Sequence, residues 1–243
     1  MTVTEKLLQN PVFCAIDTPD LGTATTWAAR IGDHVGGLKL GLEFYSAHGP
    51  KGIKQVMKAS DLPVFLDLKF HDIPNTVAGA VRAASALKPF MLNVHASGGK
   101  AMMQAAAEAA AEVAYEGVAP RPLVIGVTVL TSLGDDDLAD VGMSGPAADQ
   151  AIRLAVLARE SGLDGVVCSP LEAERIRSEC GPNFKLVTPG VRPDWAAAND
   201  QKRVMTPEEA IAAGADYLVV GRPITGADDP AAAARRIATA LAA

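Results

Sequence analysis

The sequence predicts a single α/β domain spanning residues 1–243, in which eight parallel strands close into a (β/α)8 TIM barrel. Three observations predict it. Eight short apolar runs alternate with helix-like segments from one end of the chain to the other, the helical segments carry their own start signals, and polar residues gather where the apolar runs end. A chain of 243 residues is the usual size of one such barrel, and its Pro and Gly residues are scattered rather than collected into a linker. A doubly wound open sheet is the alternative that the same alternation leaves open.

The runs are Pro11–Ile16, Gly37–Leu40, Val64–Leu68, Phe90–Val94, Leu123–Val129, Gly165–Cys168, Lys185–Val187 and Tyr217–Val220. Each is short, continuous in hydrophobicity and bounded by Gly, Pro or polar residues, as strands buried on both faces of a parallel sheet are. Between them, Leu21, Ala24, Trp27, Ala28 and Ile31 repeat at helical spacing after the first run, and Ala148, Ile152, Ala155 and Val156 do so after the fifth. Thr206-Pro207-Glu208-Glu209 offers an N-cap, a proline at the first helical position and a capping-box glutamate; Asp229-Pro230 opens the last helix in the same way.

Composition narrows the function classes. A formal net charge of −6 argues against a general nucleic-acid binder, which needs a basic stripe to replace phosphate counterions. No stretch approaches the ~20 apolar residues of a membrane span, and Met1 to Asn10, with Glu5 and Lys6, has no apolar run of signal length. The three cysteines, Cys14, Cys168 and Cys180, form no CxxC pair, which fits free thiols in a reducing cytoplasm. Cys14 and Cys168 read as core residues, and Asp135-Asp136-Asp137 as a solvated loop face. The expectation is a cytoplasmic protein with a small-molecule ligand and no nucleic-acid or membrane partner.

A barrel places chemistry at the C-terminal ends of its strands and in the loops that follow. Asp17 follows the first run, Lys39 lies in the second, Asp67 and Lys69 close the third, and His95 follows the fourth. Thr128 and Thr131 end the fifth, Arg192 follows the seventh, and Gly221-Arg222 follows the eighth. The densest cluster is Phe65 to Thr76. In an extended strand Asp67 and Lys69 point to one side, and Asp72 adds a third charge in the next loop. A plain strand-end ion pair is one reading. Charges near a barrel mouth cost several kcal/mol each unless paired or used, however, and Lys39 from another strand can join them. The resulting Lys–Asp–Lys–Asp array would keep Lys69 protonated beside developing negative charge. Phosphate is the ligand group with separate support, because barrels often bind it after strands seven and eight. Gly221 would let the backbone approach, and Arg222 can grip two oxygens.

Asp67-Leu68-Lys69-Phe70-His71-Asp72-Ile73-Pro74-Asn75-Thr76 resembles the signature of the orotidine 5′-monophosphate decarboxylase family. The likeness continues through Phe13 to Asp17, Leu38 to Gly41, Asn93 to Ala96, Val127 to Ser132, Thr188 to Arg192, Asp200 to Arg203 and Val220 to Ile224. It covers almost the whole chain, in order, and resembles the short stand-alone bacterial form. The resemblance implies decarboxylation of orotidine 5′-monophosphate to uridine 5′-monophosphate and carbon dioxide, the last step of de novo pyrimidine synthesis, with no cofactor and no metal. It makes Lys69 the proton donor, sets Asp67 beside the substrate carboxylate, and has Lys39 orient Asp67 and touch the ribose. Asp17 would bind ribose, and Thr131, with Ser132 nearby, the pyrimidine edge. Asp72, Ile73 and Thr76 would complete the neighbouring subunit's site, which implies a homodimer with composite sites. Arg192 and Gln201 would flank a loop that closes over the phosphate held by Gly221 and Arg222.

Two other readings remain open. A metal-dependent sugar-phosphate decarboxylase or aldolase of the same superfamily needs an acidic metal ligand near the second strand, where this chain carries Lys39. His71 and His95 stand apart from other Cys or His at ligand spacing, so neither argues for a metal. A non-catalytic nucleotide-binding barrel would have no use for Lys39, Asp67, Lys69 and Asp72 together.

Overall fold

All eight apolar runs form strands in the computed structural model, which describes residues 3–196 and 205–242. They are β1 (Val12–Ile16), β2 (Gly37–Gly41), β3 (Val64–Phe70), β4 (Met91–His95), β5 (Leu123–Val127), β6 (Gly165–Val167), β7 (Lys185–Pro189) and β8 (Tyr217–Val220). The strands follow one another around a closed barrel in sequence order, which excludes the doubly wound alternative. Pairing is parallel, with Ala15 beside Lys39 across β1 and β2, Gly41 beside Asp67 across β2 and β3, and Cys14 beside Val220 across β1 and β8. Parallel neighbours require a crossover, and a helical segment follows each of the eight strands. The third strand runs two residues further than its apolar run, so that Lys69 and Phe70 belong to it.

The expected helix signals operate as capping chemistry. Asp20 accepts the Thr23 N–H at 2.6 Å at the start of Leu21–Ile31. The Thr206 hydroxyl accepts from the Glu209 N–H while the Glu209 carboxylate accepts the Thr206 N–H, a reciprocal box that opens Pro207–Ala212. Asp229 accepts from Ala231 and Ala232 ahead of Pro230–Leu241. Such a cap contributes about 1 kcal/mol.

Packing divides the chain into two compact units. The first comprises Met1–Leu68, Gly190–Ala212 and Tyr217–Ala243. Its core is centred on Phe13, which meets Phe65 and Tyr217 edge-on at ring-centroid distances of 6.4 and 5.6 Å. Gly37 is required there, since a Cβ would lie 2.3 Å from the Phe13 ring. The second unit comprises Lys69–Pro189 and Ala213–Asp216. Leu92, Val94, Ile125, Val166 and Leu186 fill its strand layer, with Val81, Met103 and Ala110 on the covering helices; all are fully buried. Two aspartates brace its strand starts in the same manner. Asp164 exchanges backbone hydrogen bonds with Val124, accepting the Val124 N–H on its carboxylate at 2.7 Å, and Asp216 does the same with Leu186 at 2.8 Å. Each aspartate is also ion-paired, Asp164 with Arg121 and Asp216 with Arg177 and Lys185. No helix among the described residues is long and apolar enough to cross a membrane.

Candidate active site

Three of the expected residues come together in the first unit. Lys39 rises from β2 and places its Nζ 3.1 Å from Asp17 Oδ1, just beyond β1, and 3.2 Å from Asp67 Oδ2 on β3. Only 11% of the Lys39 and Asp67 side chains is exposed, whereas Asp17 is 59% exposed. Burial by itself would lower the Lys39 pKa. Asp67 first and Asp17 second more than offset that and hold the ammonium above the ordinary lysine value. Lys39 is therefore a fixed cation with an open carboxylate on one side and a buried one on the other. Gly41, at the end of β2, keeps the space clear, since a Cβ there would approach Lys39 Nζ to 3.1 Å.

Arg192 and Arg222 belong to the same unit. Arg192 is buried, and its backbone N–H donates to the Met205 carbonyl at 2.9 Å, which joins the two sides of the segment between them. Gln201 lies outside the described residues. Gly221 follows β8, and the exposed Arg222 begins the single turn Arg222–Thr225.

The second unit carries Lys69, Asp72, Ile73, Thr76 and Thr131. Lys69 corrects one step of the sequence reasoning. Its φ is +50°, a left-handed conformation inside a strand, so the alternation rule for extended backbone does not set its side-chain direction. For a lysine this conformation costs about 1–2 kcal/mol. Its backbone N–H donates to Asn93 Oδ1 on β4 at 2.7 Å. Asn93 is completely buried, and the sequence reading gave it no role. The signal was present, since a carboxamide interrupts the apolar run Met91-Leu92-Asn93-Val94. Beyond Lys69, Asp72 accepts the Ile73 N–H at 2.6 Å, and Ile73, 66% exposed, precedes the helix Pro74–Ser85 with Pro74 at its first position. Thr76 and Thr131 are exposed, while Thr128 is buried and its hydroxyl donates to the Val167 carbonyl.

The remaining candidates for chemistry are accounted for by packing. His71 and His95 lie against each other with ring centroids 5.4 Å apart. Cys14, Cys168 and Cys180 are buried and unpaired. Burial pushes the Cys14 and Cys168 thiols far up, which keeps them protonated and unreactive.

A family model described as "Orotidine 5'-phosphate decarboxylase / HUMPS family" matches residues 10–237. This chain belongs to that family. The orotidine 5′-phosphate decarboxylase of Rhodospirillum rubrum is 63% identical to it, over 96% of this chain and 94% of the relative. The protein of the same name from Paramagnetospirillum magneticum is 54% identical, over 96% and 98% of the two chains. Among solved structures, orotidine 5′-phosphate decarboxylase from Lactobacillus acidophilus superposes with a TM-score of 0.83 at 36% identity, covering 96% of this chain and all of the other. The decarboxylase/HUMPS family thus spans both units, and the Asp17, Lys39 and Asp67 cluster lies within the matched residues.

Proposed function

We propose that this protein decarboxylates orotidine 5′-monophosphate to uridine 5′-monophosphate and carbon dioxide, the closing step of de novo pyrimidine synthesis. The observation that carries the reading is Lys39, buried between Asp17 and Asp67, in a chain 63% identical to a protein of that named activity. The chemistry needs a site that tolerates electron density on a ring carbon. The bond from pyrimidine C6 to the carboxylate breaks, carbon dioxide leaves, and the electron pair stays on C6 until a proton arrives. Lys69 supplies that proton, and its ammonium attracts the charge as it develops. Lys39 holds Asp67 beside the departing carboxylate, where two like charges about 4 Å apart repel by about 4 kcal/mol at an effective dielectric of 20.

The rest of the substrate is assigned by the same reading. Asp17 and Lys39 hold the ribose hydroxyls, Thr131 the pyrimidine edge, and Gly221 and Arg222 the phosphate. Arg192 and Gln201 close the phosphate end, so binding energy from a group that does not react supports catalysis at one that does. Asp72, Ile73 and Thr76 complete the site of a second copy in a homodimer. The exposure of Ile73, an apolar residue next to a charged one, supports that assignment. The chain acts as one domain, a reading supported by the family match from residue 10 to 237. It works in the cytoplasm, which suits its three free thiols.

No metal or cofactor is assigned. The test is the ultraviolet absorbance of orotidine 5′-monophosphate mixed with the purified protein in excess EDTA. The expected result is conversion to uridine 5′-monophosphate at an undiminished rate. Turnover that appears only when magnesium is restored would keep the reaction but overturn its independence of metal, and a folded protein inactive in both conditions would overturn the reaction.

A further inference from the structure

We propose that Asn93 is a positioning residue that sets the aim of Lys69 by holding its backbone in the left-handed conformation. The proposal deepens the proposed function, and it rests on the assignment of Lys69 as proton donor.

Among the described residues, three other than glycine have positive φ: Asp61, Lys69 and Lys88. Two of them are explained by helix ends. Asp61 caps Leu42–Ser60 and returns its N–H to the Met57 carbonyl, and Lys88 follows Pro74–Ser85 and donates to the Ser85 carbonyl. A left-handed residue after a helix is the ordinary way to satisfy the last carbonyls. Lys69 has no such reason. It lies within β3, one residue before the strand ends, where extended backbone is the rule. Strain of this kind persists only where the surroundings impose it, and it gathers at functional sites.

Asn93 is the imposing group. Its Oδ1 accepts the Lys69 N–H at 2.7 Å, and its side chain is wholly buried between Leu92 and Val94 in an apolar strand. A carboxamide in such a run is unfavourable unless its polar atoms are used. Loss of the acceptor leaves the Lys69 N–H unsatisfied and removes what opposes relaxation to extended backbone. That rotation would swing a four-carbon side chain whose ammonium must meet one carbon atom. Misplacement by ~1 Å at a reacting centre costs about a hundredfold in rate.

The test compares two near-isosteric variants, Asn93→Leu, which keeps volume but removes the acceptor, and Asn93→Asp, which keeps an acceptor oxygen. Turnover of orotidine 5′-monophosphate and affinity for uridine 5′-monophosphate are measured for each. The expected result for Asn93→Leu is a kcat loss of about a hundredfold with KM and product affinity changed less than about threefold, because binding does not use the donor's aim. Asn93→Asp should recover to within about tenfold of the parent kcat. A kcat for Asn93→Leu within about threefold of the parent, or equal losses for both variants, would overturn the proposal. So would loss of product affinity in step with kcat. Should circular dichroism find the leucine variant unfolded, Asn93→Ala is judged by the same criteria. Lys69→Ala run alongside separates the two claims. Normal turnover in it removes the donor assignment, whereas its inactivity combined with a normal Asn93→Leu removes only the role of Asn93.

Discussion

At the scale of single residues, the proposed chemistry turns on charge in apolar surroundings. Lys39 stays charged although largely buried because two carboxylates lie within 3.2 Å of it. Such a cation orients its partners at no reorganisation cost when substrate arrives. Arg222, in contrast, is exposed at the start of the turn after β8, where it can meet a ligand from solvent. Arg222→Ala should weaken binding of phosphate-bearing nucleotides by about 1.5–3 kcal/mol, the contribution of a hydrogen bond to a charged group, and hardly affect orotidine without its phosphate. Titration with both ligands checks this, and equal losses would remove the phosphate assignment. The charged residues were legible in the sequence because a lysine or aspartate inside an apolar run has few structural uses. The aim of Lys69 was not, since alternation presumes an extended backbone and φ depends on a partner 24 residues away. Asn93 stood out as a carboxamide in an apolar run, but its task did not, because it lies in a contact with the backbone of Lys69.

At the scale of elements, all eight strands were legible because a buried parallel strand is continuously apolar, whereas the braces that start them were not. Gly162-Leu163-Asp164 and Gly214-Ala215-Asp216 repeat one spacing ahead of β6 and β8, and each aspartate clamps the preceding strand by its backbone. A lone aspartate before a strand carries no mark of that task. The turn after β6 makes a prediction of its own. The Ser169 N–H donates to Glu172 Oε2, and the Ser169 hydroxyl accepts from Leu171. Burial, opposed by the Ser169 hydrogen bond, pushes the Glu172 carboxyl up from 4.5 to about 7. Between those values the folded protein keeps a proton that the unfolded chain has lost. Stability therefore falls as pH rises through that window, by at most about 1.4 kcal/mol per pH unit and less where water screens the group. Glu172→Gln, which retains an acceptor and cannot ionise, should flatten that decline. Urea midpoints at pH 5 and pH 7.5 for both proteins check it, and an unchanged decline would show that another group is responsible.

At the scale of the whole molecule, the barrel order was legible from eight alternations, because parallel neighbours need crossovers and a closed sheet leaves no edge exposed. Assembly into a dimer, which composition and spacing do not reveal, is the proposed part, and the 66% exposure of Ile73 is what supports it. A dimer with composite sites has an arithmetic consequence. Lys69→Ala and Asp72→Ala place their defects in different contributions to a site, so a mixed dimer holds one intact site and one doubly damaged site. Random pairing on co-expression in equal amounts should restore about a quarter of parental activity, although each variant alone is inactive. Activity no higher than the sum of the separate variants would place Lys69 and Asp72 in the same subunit's site or remove Asp72 from it.

The most direct test of Lys69 as proton donor is Lys69→Ala, assayed for turnover of orotidine 5′-monophosphate and, separately, for affinity toward uridine 5′-monophosphate. Turnover should disappear while product binding remains measurable, because the proposed proton donor is lost and the groups proposed to hold ribose and phosphate are kept. Turnover close to that of the parent would contradict that role and remove Lys69 from the chemistry.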